Sequence, residues 1–398
     1  MIGSSILENG NYKVFLTNNG HSKFSSMTLS FDNEKHLLHE FSLEDDNEKF
    51  IQTVTYKNKF YLISAAKRAP EKQAFSEGIY IYTFDENDKP KRNKINLSKS
   101  VFIDKNGDGT TLPNLIASYS SSIKKIEDNV PNSIEVAASN RKIYLKDNKV
   151  IFTLDNNKEF TQILEINLEN FQSSQKSIEK PMKGIEEGRK KTNSYLNGNL
   201  IFMVASTKDN FIFQVNNFEK DSLIMKYSVS KENAINFKNT PIIQEGGMYD
   251  GYRELESSKK FLRKITSGKI GVSALKVKDL YHITIGGYVE QRRGGAGMSF
   301  GFGGMPIGSF GSVNIFFNPT MFAYNSMSNT KSTRIECLFD EDFDHLRGDL
   351  EENAFDKIDT FLKEDIGESE TIFSYKDYFI FLDYINASGD YVLRKFEE

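Results

Sequence analysis

An all-β protein, a six-bladed β-propeller, is what this 398-residue sequence predicts, and three observations carry the prediction. A β-hairpin pattern recurs six times, a third β-prone run follows each hairpin, and the units return at a spacing of roughly 45–50 residues plus insertions. Four-stranded units of that size are too thin to bury both faces alone, so they become stable by stacking on their neighbours.

The hairpins span 6–15, 54–63, 143–152, 194–202, 274–283 and 373–381, with turns at Asn9, Asn58, Asp147, Gly198, Lys278 and Lys376. Asn, Asp and Gly at such turns tolerate the positive φ that a tight hairpin requires. The third runs are 28–32, 81–85, 164–168, 224–229, 335–340 and 392–396, several ending in an aromatic and an acid. A fourth run is visible at 36–43 and 91–97. Chain length alone would suggest two or three domains, but closed repeat architectures run this long as one unit, so 1–398 reads as a single domain. Its long insertions fall at about 101–132, 240–267, 291–330 and 345–370, with a shorter one at 67–77.

Composition fits. Aromatics are 13 % of the chain, rich in Phe and Tyr with no Trp, and the net charge of −4 comes from interspersed signs. There is no basic footprint for nucleic acid. No stretch reaches the roughly 18 apolar residues of a membrane helix, and Met1-Ile2-Gly3-Ser4-Ser5 lacks the basic and apolar regions of a signal peptide. The single Cys337 lies in a strand-like run and reads as a packed thiol rather than a nucleophile. The last unit ends after its third run, while propellers usually close by letting one terminus complete the other's blade. Two readings stand: residues upstream of Met1 have been removed, which would make the setting extracytoplasmic, or 2–7 performs the closure.

Strand direction alternates within a blade, so loops between strands two and three emerge on the same face as the connections between blades. The long insertions belong to those classes, and one face should be built up while the other carries tight turns. Long loops on a rigid scaffold are where binding usually resides. The most unusual segment is an arm, Arg292-Arg293-Gly294-Gly295-Ala296-Gly297-Met298-Ser299-Phe300-Gly301-Phe302-Gly303-Gly304-Met305-Pro306-Ile307-Gly308-Ser309-Phe310-Gly311. Dense glycine fixes no backbone, and Met298, Phe300, Phe302, Met305 and Phe310 offer adaptable apolar contacts above the two arginines. The arm reads either as a docking element for a protein partner or lipid interface, or as a loop lying loosely over the propeller. It contains no phosphate-binding GxxxxGK[ST]. Tyr249, Tyr252 and Arg253 form a second candidate surface, since aromatics and Arg can stack on a sugar or anchor a partner.

Asp104-Lys105-Asn106-Gly107-Asp108-Gly109 begins like a calcium loop, with oxygens at alternate positions, but position twelve is Leu115 where a bidentate acid belongs. Calcium at Asp104, Asn106 and Asp108 would need an acid from elsewhere; otherwise this is a polar turn. Asp340-Glu341-Asp342-Phe343-Asp344 reads as a solvated strand end. His36 and His39 point to opposite faces of a strand, and His21, His282 and His345 form no metal set. Neither a Gly-x-Ser-x-Gly elbow nor sialidase boxes, which need Trp, are present. Arg347-Gly348-Asp349 matches an integrin tripeptide too short to carry weight. One surface helix is expected over 353–365, with Phe355, Ile358, Phe361 and Leu362 on its buried side.

The glycine/methionine arm, followed by Phe316-Phe317-Asn318-Pro319-Thr320-Met321-Phe322-Ala323-Tyr324 and Thr330-Lys331-Ser332-Thr333, resembles uncharacterised propeller-like cell-envelope proteins of Bacteroidota, over roughly 280–350. The resemblance implies an envelope setting and a signal peptide, which the chain as written lacks. It implies no activity and carries over no catalytic residue. Two functional classes follow. One is a non-enzymatic binding or scaffold propeller that presents its loop-rich face to a protein, membrane-associated in one reading, with a glycan as another ligand. The other is a carbohydrate-active or other hydrolytic propeller using converging acids at the channel mouth. The absence of a catalytic box favours the first, with no cofactor beyond the calcium of the Asp104 loop.

Overall fold

A computed structural model describes the chain except for residues 19, 30–36, 67–77, 86, 117–122, 129, 186–188, 246–251, 290–331, 365–369, 376–377, 386–387 and 398. Six antiparallel sheets follow one another along the sequence as propeller blades. Blade one is β1 (Gly3–Ile6), β2 (Tyr12–Thr17), β3 (Phe24–Leu29) and β4 (Leu37–Phe41). Blade two is β5 (Glu48–Tyr56), β6 (Lys59–Ala66), β7 (Ile79–Phe84) and β8 (Pro90–Lys94). The next connection holds the small hairpin β9 (Phe102–Ile103) and β10 (Gly109–Thr110), then α1 (Leu112–Ile116), β11 (Lys124–Ile126) and α2 (Ile134–Ala137). Blade three is β12 (Arg141–Lys146), β13 (Lys149–Leu154), β14 (Phe160–Asn167) and β15 (Ser173–Glu179), with β11 added in parallel to the edge of β12.

Turn chemistry follows the expectation. Lys57 and Asn58 both hold positive φ, as do Asp147 and Lys278, in hairpins that close over two residues. An L-residue accepts that backbone region at a small cost, which the paired strands on either side repay.

Blade four departs from the sequence reading. Its strands are β16 (Lys191–Asn197), β17 (Leu200–Ser206), β18 (Asn210–Asn217) and β19 (Ser222–Ser230). The run 224–229 is thus the fourth strand, and the third is β18, whose Phe211, Phe213 and Val215 alternate into the core. The sequence reading leaves 210–217 unassigned and so takes the fourth strand for the third.

Blade five is built out of order. The segment after blade four supplies β20 (Ile242–Glu245) and β21 (Arg253–Leu255), then α3 (Ser258–Ser267) leads into β22 (Lys269–Val277), β23 (Leu280–Tyr288) and β24 (Ser332–Phe339). The sheet order is β21-β20-β24-β23-β22, with Ile243 opposite Arg334. The 240–267 insertion therefore provides the outer strands of blade five. Helix α3 was not expected from the sequence. It is capped by Ser257, whose hydroxyl accepts from the Lys260 amide, and buries Phe261, Leu262 and Ile265.

Because the outer position of blade five is already filled, the chain leaves β24 at the end away from its arm and returns through α4 (Ala354–Glu364), the expected helix. Phe355 and Ile358 pack with Ile372, Phe379 and Phe381 of blade six. That blade has three strands, β25 (Glu370–Tyr375), β26 (Tyr378–Ile385) and β27 (Asp390–Glu397). The expectation that 2–7 closes blade six is corrected: β1 pairs with β2 within its own sheet, and Ile2 donates its amide to Phe15 at 2.7 Å.

Neighbouring blades share apolar cores. Phe15 of blade one stacks on Phe60 of blade two with ring centroids 3.7 Å apart. Tyr144, Phe202, Phe211, Phe213, Val272 and Ile335 belong to one cluster spanning blades three to five. Full burial of each large side chain contributes roughly 1.5–3 kcal/mol.

Candidate functional site

Inner strands β16 and β22 run side by side across the boundary between blades four and five. Against them lies the connecting segment 123–140. Ile123 enters the core of blades two and three, and Ile126, Val136 and Ala137 enter that of blades three to five. Val130 packs with blade six, while Ile134 and Ala138 close on Tyr288. One stretch of chain thus reaches the cores of blades two to six and packs against the inner strands of blades four and five.

Its polar groups are satisfied by the inner strands. Asn193 donates to the Ala138 carbonyl at 2.9 Å, and Asn197 donates to the carbonyls of Asp128 and Ala274 at 3.1 and 3.2 Å. Asn132 donates to Tyr195 Oη at 3.1 Å and to the Val130 carbonyl at 2.7 Å. Buried backbone is costly without such partners, which explains an Asn-rich inner wall. Gly271 is required by the close approach: a Cβ there would lie 2.8 Å from Ala138.

Beside this segment, between blades three and four, sits a fully buried charge network. Asp155 accepts from Lys142 and Lys180, each at 2.9 Å, from Thr161 Oγ1 at 2.7 Å and from Ser194 Oγ at 2.9 Å. Lys142 also donates to Asn193 Oδ1 at 2.8 Å, and Lys180 to the Asn157 carbonyl at 2.8 Å. Burial alone would raise the Asp155 carboxyl, but the two lysines outweigh it and hold it well below the carboxylate range. Burial lowers both lysines, with Asp155 opposing. Every member is satisfied, so the network orients β12, β15 and β16 rather than offering a reactive group.

Two carboxyls among the described residues are raised by burial. Burial raises the Asp128 carboxyl, against the Gly198 amide and Lys146. Burial also raises Asp356 on α4, among Asn353, Glu336, Glu352 and Arg334. The two sit among different neighbours. Among the described residues, no group of three His, Cys, Asp or Glu could hold a metal ion.

The sequence-predicted sites fare unequally. Asp104 Oδ1 accepts from the amides of Asn106 and Asp108 at 2.8 and 3.1 Å, closing the β9–β10 turn over Gly107. That oxygen serves the backbone. Asp340 repeats the arrangement, accepting from Asp342 and Asp344 at 3.0 and 2.9 Å. Tyr252 is 58 % exposed and donates to Glu254 at 3.0 Å. Arg253 Nε donates to Gln244 at 2.6 Å, so its side chain lies along blade five. Arg292, Arg293, Met298, Phe300, Phe302, Met305, Phe310 and Tyr249 lie outside the described residues. Cys337 is fully buried, and burial pushes its thiol up.

Two pockets escaped the sequence reading. One, of about 530 Å³, is lined by Asn236, Lys238, Asn239, His345, Arg347 and Gly348. There His345 Nε2 meets Asn239 Oδ1 at 3.0 Å, while Asn239 Nδ2 donates to the carbonyls of Leu346 and Gly348 at 2.8 and 2.9 Å. Burial and Arg347 lower the His345 pKa. The other pocket, of about 360 Å³, is lined by Lys158, Arg189, Lys190, Lys191, Thr266 and Ser267. Only the run Arg189-Lys190-Lys191 hinted at it.

No family model matches the chain, and no curated protein does. Solved structures that align with it include a xylan β-1,4-xylosidase from Bacillus halodurans C-125, at 9 % identity and a TM-score of 0.25, covering 73 % of this chain and 49 % of that one. This chain therefore spans about half the length of that xylosidase. An exo-1,5-α-L-arabinanase from a bovine ruminal metagenomic library aligns at 10 % identity and a TM-score of 0.23, over 86 % of this chain and 94 % of that one. An uncharacterised Listeria monocytogenes protein aligns at 10 % identity and a TM-score of 0.21, over 96 % and 90 % respectively. At these scores the fold rests on the sheet order itself.

Proposed function

We propose that this propeller is a non-enzymatic binding or scaffold protein that presents its loop-rich face, with the arm of 291–311, to a protein partner in a cell-envelope assembly. The observation that carries the reading is the segment 123–140 seated against the inner strands. A hydrolytic propeller needs a cleft where acids converge on a substrate, whereas here the inner strands spend their Asn and Tyr side chains on the 123–140 segment.

The arm's anchorage suits a docking role. Its flanking residues Tyr288 and Ser332 are register partners in β23 and β24, so the insertion opens from a closed strand pair. Apolar burial of Met298, Phe300, Phe302, Met305 and Phe310 would supply roughly 1.5–3 kcal/mol each before the cost of ordering the backbone. Replacing 294–311 with a short Gly/Ser linker should leave the melting temperature nearly unchanged and abolish recovery of a stoichiometric partner from native membranes. Undiminished recovery would refute the arm's role, and a collapse in melting temperature would make it part of the core.

A further inference from the structure

On the loop-rich face, cations gather where the inner strands begin. Lys158 lies in the turn from β13 to β14, Arg189 and Lys190 precede β16, and Lys191 begins it; Thr266 and Ser267 end α3 across the same pocket of about 360 Å³. Lys190 is spent, since it pairs with Glu159 and donates to the Met182 carbonyl at 3.0 Å. Lys158, Arg189 and Lys191 have no ion pair among the described residues, which makes this a local excess of positive charge among them in a chain whose net charge is −4; Glu186 and Glu187, which precede Arg189, lie outside the described residues. Burial lowers the Lys191 ammonium, and Lys158 and Arg189 lower it further by like-charge repulsion.

The bland alternative is that these cations serve the C-terminal end of α3. That end is already attended: Thr266 Oγ1 donates to the Leu262 carbonyl at 2.6 Å and Ser267 Oγ to the Lys264 carbonyl at 2.7 Å. A helix terminus also carries only about half a charge, which cannot balance three. Like charges are held together at a cost unless a counter-charge joins them.

We infer that the pocket formed by Lys158, Arg189 and Lys191 binds an oxyanion of the phosphate or sulfate-ester class. Arg189 supplies a planar fork for two oxygens, and the two lysines supply point charges. The inference rests on this pocket alone and stands apart from the arm. It extends the binding role by assigning a chemical class to one ligand of the loop-rich face.

The test is isothermal titration and thermal unfolding with inorganic phosphate and with sulfate, against chloride at matched ionic strength. The native chain should bind both oxyanions and unfold at higher temperature as their concentration rises. Arg189→Gln with Lys191→Gln should weaken phosphate binding about tenfold or more. Lys158→Gln alone, in an exposed turn, should weaken it less, and Lys220→Gln, in the turn from β18 to β19, should leave it unchanged. Absence of binding by the native chain overturns the inference, whatever the variants do; so does equal binding by native chain and double variant. If the double variant fails to fold, unchanged binding by Lys158→Gln overturns it. Sedimentation with phosphatidylcholine vesicles, with and without phosphatidic acid, then separates the sources. Co-sedimentation dependent on phosphatidic acid identifies a lipid headgroup, and phosphate binding without it identifies a soluble ligand.

Discussion

Replacing Asp155 by Asn keeps the shape of the side chain and removes the one negative charge between two buried ammonium groups. Lys142 and Lys180 are wholly buried, and Asp155 is the acid that contacts both, each at 2.9 Å. Removing one partner of a buried pair costs about 3–5 kcal/mol, because the stranded charge keeps its desolvation penalty. The substituted amide could still accept from Thr161 or Ser194, so hydrogen-bond loss should add no more than about 1 kcal/mol. Urea unfolding at neutral pH, followed by circular dichroism, should therefore show a loss of about 3–5 kcal/mol. The sign of the pH response is fixed. The folded-state pKa values of both lysines are lowered, so the unfolded chain binds more protons above them. Stability then rises as pH climbs from the folded lysine values toward the unfolded value near 10.4, more steeply in the variant, and its deficit shrinks. At the acid end the Asp155 carboxyl is lowered, so its stabilisation is whole above the unfolded value near 3.9 and disappears as pH falls through the folded one. Lys180→Met in the Asp155→Asn background should recover part of the loss by removing a stranded cation. A variant within about 0.5 kcal/mol of the native chain, or a deficit that does not change up to pH ~10, would refute the reasoning.

Gly271→Ala should lower stability by about 1–3 kcal/mol, because the new methyl meets Ala138 of the 123–140 segment; an unchanged melting temperature would show that the segment does not seat there. Calcium held by Asp104, Asn106 and Asp108 would raise the melting temperature as its concentration rises, and Asp108→Ala would abolish that rise. A melting temperature that does not move across a hundredfold range of calcium leaves the loop as a backbone-capping turn.

The hairpins were legible because each couples two local signals, alternation and a turn residue that accepts positive φ, as at Asn58 and Asp147. The helix α4 was legible from Phe355, Ile358, Phe361 and Leu362. Helix α3 was not, since Phe261, Leu262 and Ile265 form a short apolar stripe inside a segment dominated by Lys and Ser. The outer strands of blade five were hidden for another reason: β20 pairs with a strand far along the chain, and no local pattern announces that. The buried network was equally silent, because Lys142, Asp155 and Lys180 look like surface residues until three strands bring them together. The basic pocket needed the fold to join the turn at Lys158 to residues 189–191 and to the end of α3.

The out-of-order blade also bears on how the chain is made. β20 leaves the ribosome before any other strand of its sheet, and its partner β24 lies roughly 90 residues later, beyond the arm. At synthesis rates of about 5–20 residues per second, that edge waits on the order of 5–20 s for a neighbour. Lengthening the arm prolongs the wait in direct proportion, while the entropic cost of closing the loop grows only logarithmically. Variation in the arm is therefore nearly free for the finished molecule and costly for the nascent one, which must keep Ile242 and Ile243 from finding another strand in the interval.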